Sequence, residues 1–148
     1  MRKILYLFMI LSCVILLAIP FIPNKTLTYQ ELATILTSLP QHGRQLQNIN
    51  TCKKNFDFHT LDKNDFIYYL NEDAMDVDEI LLVRALPIHQ QDVITKFQHR
   101  IDSQKLKFNG YGAIQMEKLN QAKILTFDDC VLLIISNDES DLTLGGTL

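Results

Sequence analysis

The residues able to do chemistry in this 148-residue chain are few and scattered. Cys13, Cys52 and Cys130 are its three thiols. A cysteine nucleophile acts as the thiolate and needs a base in reach. His59 follows Cys52 closely, but the stretch around both reads as loop, and nearness in sequence does not make a dyad. Cys52 and Cys130 are open to two readings, free thiols or a disulfide pair. A bond between them would close a long loop and contribute about 3 to 4 kcal/mol, provided the Cα atoms approach within about 7 Å. The histidines (His42, His59, His89, His99) show none of the ligand spacings of an HExxH or HxH motif and read as solvated side chains. Acidic residues cluster at Glu72-Asp73, Asp76, Asp78-Glu79 and from Asp138 to Asp141. A calcium loop counted from Asp62 would put Ile67 where the tight turn needs Gly, so these carboxylates read as turns and caps. No phosphate-cradling Gly loop, nucleophile elbow or CxxC is present, and the sequence implies no metal and no cofactor. With no Trp in the chain, Tyr111, between Gly110 and Gly112, is the candidate exposed aromatic. Its plainer role is to plug the end of the core.

The apolar content of 47% is unevenly spread, because the first 23 residues are almost all apolar. The formal charge is −3, and Arg2 and Lys3 are the only charges in those 23, so the remainder carries −3 − 2 = −5. That acidic balance has no electrostatic footprint for nucleic acid and no polybasic cluster for anionic lipid. What remains is long enough for one modest core.

Ile4 to Ile22 is an uncharged run of 19 residues. At 1.5 Å per residue it just spans a hydrocarbon layer, which takes about 20 apolar residues. Arg2 and Lys3 ahead of it predict a cytoplasmic N-terminus and an extracytoplasmic remainder. Two rivals are weaker. A cleaved signal peptide needs a small-x-small site, and Leu16-Leu17-Ala18-Ile19-Pro20 offers none. Lipidation at Cys13 would use Ile10-Leu11-Ser12-Cys13 as a lipobox, yet the residues after Cys13 stay apolar. The reading is a single-pass anchor over 1–23, a linker over 24–27, an extracytoplasmic domain over 28–144 and a frayed tail over 145–148.

Elements follow from periodicity. Thr28 with Glu31 forms a capping box, with Leu27 and Leu32 at the staple positions, and opens a helix that Pro40 ends after Leu39. Gln41 to Phe58 reads as loop. Asp62 caps a predicted short helix reaching Leu70. Glu79 to Leu86 is a strand apolar on both faces apart from Arg84. A long amphipathic helix runs from about Gln90 to Phe108, with Asn109-Gly110 as its stop. A helical turn from Ala113 to Asn120 precedes a hairpin of Lys123 to Phe127 and Cys130 to Ser136. The run VLLII in the last strand belongs in the middle of a sheet. The expected fold class is α+β: after the membrane helix, a small three-stranded, mainly antiparallel sheet in the order first-third-second, packed with one long helix and two or three short ones.

EILLVRA, the long helix, FNGYGAIQMEKLNQAKI and the closing VLLIISND together resemble the family known as domain of unknown function 4358. The resemblance covers about residues 28 to 144 and is clearest from Glu79 to Asp138. It lies in Phe108 and Tyr111 after the helix, Gln115 and Leu119 in the next turn, and the apolar strand. Cys130 stands where such domains more often carry an aromatic residue, and Gly112 where Pro or Ala is frequent. The resemblance implies an extracytoplasmic protein of a Gram-positive bacterium and implies no activity. The expected function is a non-catalytic interaction or accessory module of the cell envelope, with an unidentified envelope protein or wall component as partner, no nucleic acid, and the membrane held through Ile4 to Ile22. The alternative is an envelope domain binding a small ligand or peptidoglycan, on a lipoprotein if Cys13 is modified. A third class, an envelope hydrolase, would need a cleft of titrating carboxylates that the sequence does not display.

Overall fold

The structure is a computed structural model that describes residues 27–138. The chain runs α1 (Tyr29–Ser38), β1 (Arg44–Leu46), α2 (Ile49–Phe56), β2 (Phe66–Asn71), β3 (Glu79–Arg84), α3 (Pro87–Phe108), α4 (Ala113–Asn120), β4 (Lys123–Thr126) and β5 (Cys130–Ile135). The strands form one five-stranded sheet in the order β1-β2-β3-β5-β4, antiparallel at every pairing.

β3 and β5 are apolar on both faces because both faces are covered. Successive strand side chains point to opposite sides. Leu81, Val83, Val131, Leu133 and Ile135 therefore pack under α2, α3 and α4, with Phe97, Phe108 and Leu119 above them. Ile80, Leu82, Leu132 and Ile134 face the other way, against Tyr29, Leu32 and Leu36 of α1. The result is three layers, with α1 alone on one side. The capping box that opens α1 forms as expected, Thr28 and Glu31 each satisfying the other's backbone N–H.

The sheet has five strands where the sequence predicts three, although β3-β5-β4 keeps the predicted order. The segment expected as a helix from Asp62 to Leu70 holds β2 instead. Phe66, Tyr69 and Leu70 fit helical spacing, but Phe66 and Tyr68 also alternate with Ile67 and Tyr69, and a run this rich in aromatic and β-branched residues favours the strand. Gln41 to Phe58 is likewise not plain loop. It contains β1, and it contains α2, which Asn48 caps by accepting from the N–H groups of Asn50 and Thr51 and which buries Cys52 and Phe56. The long helix starts at Pro87, earlier than predicted, because a proline's fixed φ and missing N–H suit the first helical turn. The anchor over 1–23, Cys13, linker residues 24–26 and the tail from 139 onward lie outside the described residues. Among the described residues no helix is long and apolar enough to cross a membrane.

Candidate functional site

Where β3 ends and α3 begins, the loops leave an open groove of about 800 Å³. Thr28, Asp65, Arg84, Leu86, His89 and Asp129 line it. Arg84 is the charge that interrupts the apolar β3, and its position at the strand end brings it to the groove. Its guanidinium lies 4.3 Å from the centroid of the Tyr29 ring, and its Nη1 is 3.4 Å from Asp65 Oδ1. The walls are tied by hydrogen bonds. Tyr29 N donates to Asp129 Oδ1 at 2.8 Å, Ala85 N to Asp129 O at 2.9 Å and Arg84 N to Asp65 O at 2.7 Å. One pole of the molecule thus gathers the start of α1, the β4–β5 turn, the end of β3 and the first turn of α3. It offers both signs of charge beside exposed Leu86.

A second polar assembly is built on a buried carboxylate. Glu79 is 1% exposed. Arg100 of α3 grips it in a fork, with Nε 3.0 Å from Oε1 and Nη2 3.1 Å from Oε2. Tyr68 Oη donates to Oε2 at 2.9 Å and accepts from Asn55 Nδ2 at 2.9 Å. With its amide oxygen turned to the guanidinium, Gln104 accepts from Nη1 and Nη2 at 2.7 and 2.9 Å. Burial, with the charge of Glu79 added, pushes the Tyr68 phenol upward. Burial works against the Arg100 charge, but Glu79 reverses that and holds it above its usual value. The network ties α3 and α2 to the sheet.

Lys118 of α4 lies 2.8 Å from a carboxylate oxygen of Asp76 and 2.8 Å from one of Asp78. Burial works to raise the Asp76 carboxyl, yet Lys118 and the N–H groups of Val77 and Asp78 hold it below its usual value. Asp78, more deeply placed and facing Asp76, is raised, chiefly by burial. Gln115 Nε2 donates to Met75 O at 2.7 Å alongside, so the β2–β3 turn is fastened to α4.

The sequence profile of one family, Domain of unknown function (DUF4358), matches residues 40–136, well over half of the chain. The chain belongs to the DUF4358 family. The match takes in all five strands and α2 to α4, and stops short of α1. No curated protein and no solved structure matches the chain.

Within this DUF4358 domain the thiols named from sequence are set apart. Cys52 and Cys130 are both free and fully buried. The disulfide left open between them is not made, because Cys52 belongs to the α3 side of the sheet and Cys130 to the α1 side. Burial first, then Glu79, pushes the Cys52 thiol up to about 12. Burial and Asp129 do the same for Cys130, also to about 12. Both are protonated at neutral pH, the opposite of an activated nucleophile. His59 is 80% exposed and turned to solvent. Tyr111 is 63% exposed, its ring 5.8 Å from that of Phe108 beside a shallow cleft at the end of α3. Among the described residues no group of three or more His, Cys, Asp or Glu is arranged to hold a metal ion. The groove pair Arg84–Asp65 and the Glu79–Arg100 fork escape the sequence reading. Arg84 stands out there as a lone charge on an apolar strand, whereas Glu79 is indistinguishable from the acidic turn before it.

Proposed function

We propose that this chain is a single-pass membrane protein with an extracytoplasmic DUF4358 domain that acts by binding an envelope protein, not by catalysis. What supports the reading is how the polar groups are used. The buried Glu79 is committed to Arg100, which holds α3 on the sheet, and the half-buried Lys118–Asp76 pair fastens the β2–β3 turn to α4. The open groove carries Arg84, Asp65 and Asp129, charges of both signs that the polar rim of another protein can pair with. The anchor reading rests on Ile4 to Ile22, and the sidedness on Arg2 and Lys3. The test is cross-linking in intact cells from a photoreactive residue at Asp92, on the groove wall, followed by purification of the full-length protein and mass spectrometry. One abundant membrane or wall-synthesis protein, lost when the photoreactive residue is moved to Leu46 on the far sheet edge, is the expected result. Turnover of a cell-envelope substrate by the purified full-length protein at an enzyme-like rate would sink the reading. A second reading, a small wall fragment as ligand, is favoured by the groove's size and its charged lining. It predicts a saturable thermal shift with soluble peptidoglycan fragments.

A further inference from the structure

We infer that the corner Leu86-Pro87-Ile88 rests in the headgroup boundary of the bilayer, so that the domain stands on the membrane on the first turn of α3. The inference rests on the anchored reading above and adds to it an orientation and a contact. Leu86 is 62% exposed and Ile88 is 81% exposed, although both are large and apolar. They flank Pro87 at the turn from β3 into α3, at the pole where Thr28 caps the start of α1.

The length of chain upstream fixes which pole lies near the lipid. Ile22 closes the apolar run and Leu27 opens the described residues. The five steps between them reach at most about 18 Å when fully extended. α3, with 22 residues, is about 33 Å long. The start of α1 is thus held near the bilayer, and the groove that Thr28 shares with Leu86 is held there with it. The corner also suits that boundary chemically. Pro87 has no N–H to leave unsatisfied, and the Leu86 carbonyl already accepts from His89 N at 2.8 Å. An apolar tip gains free energy by leaving water for the headgroup–acyl boundary. The groove carboxylates of Asp62, Asp65 and Asp129 stay in the aqueous layer, which keeps the contact shallow.

The chain has no Trp, so single-tryptophan variants of the full-length protein report cleanly. Each is reconstituted into phosphatidylcholine vesicles whose acyl chains carry bromine at shallow or deep positions. Ile88→Trp is expected to shift to shorter wavelength and to lose at least a third of its emission to shallow bromine. Leu16→Trp, within the apolar run, is expected to be quenched most by deep bromine. Ile114→Trp, 64% exposed on α4 near the far end of α3, is expected to be unaffected. Quenching of Leu16→Trp with none of Ile88→Trp overturns the corner contact and leaves the anchor standing. An unquenched Leu16→Trp overturns the anchor itself. Equal quenching of Ile88→Trp and Ile114→Trp overturns the upright orientation. Ile88 lies outside the core, so its replacement leaves the fold intact.

Discussion

Glu79 and Arg100 are a buried pair whose worth lies in their mutual satisfaction. Removing one leaves the other's charge stranded in a low-dielectric interior, at about 3 to 5 kcal/mol, whereas removing both restores a neutral core. Arg100→Met is therefore expected to lower stability by that amount, and the double variant Glu79→Met with Arg100→Met to recover most of it. Denaturant midpoints of the protein in mild detergent, compared as a double-mutant cycle, measure this. Around Lys118 the two carboxylates act in opposite senses. Asp76 has a folded value below its usual 3.8, so its stabilisation is present above pH 3.8 and is lost as pH falls through the lower folded value. Lys118 has a folded value above 10.5, so its share is present below pH 10.5 and is lost as pH rises through the folded value. Asp78 is raised, so ionising it at neutral pH works against folding. Asp76→Asn should cost about 1 to 2 kcal/mol at pH 7 and flatten the loss of stability in acid. Asp78→Asn should leave the melting temperature unchanged or higher. Thermal unfolding from pH 2.5 to 7 separates the two variants.

Among the elements, the junction of α3 and α4 depends on a missing methyl group. A Cβ on Gly112 would meet Phe108 at 2.8 and 3.0 Å, and Phe108 is fully buried and unable to give way. Gly112→Ala should cost about 1 to 3 kcal/mol in the same denaturant measurement. At Gly110 the space is open, and its φ of +88° leaves only backbone strain, so Gly110→Ala should cost less. The elements most legible in the sequence are those whose signals agree: the Thr28 capping box, the long helix, and the two strands apolar on both faces. β2 was hidden because FIYYLN satisfies helical and alternating spacing at once, and only pairing with β3 decides between them. α2 was hidden because its polar residues outweigh its buried pair, Cys52 and Phe56, although Asn48 was a visible cap. The groove was beyond reach because it joins residues from Thr28 to Asp129 that only the folded chain brings together.

At the scale of the whole molecule, stability is graded outward from the β3–β5 pairing. β5 is buried along its entire length, whereas β1 is a three-residue edge ending at exposed Leu46. Amide hydrogen exchange should be slowest in β3 and β5 and fastest in β1. Equal protection across all five strands, read by mass spectrometry on peptic peptides, would contradict this grading.

The middle strand of the sheet, β3, takes one of its two partners from far along the chain. β5 runs Cys130–Ile135, and its partners span Glu79 to Arg84 on one side and Lys123 to Thr126 on the other. A ribosome that has released α1, β1, α2, β2, β3 and α3 has delivered three of the five strands, but not the β5 that must cover the other edge of β3. The β2–β3 hairpin can form early, but its free edge waits for a segment some fifty residues downstream. Closure of the sheet therefore waits for β5. On the anchored reading proposed above, that delay keeps the domain threadable until β5 is made.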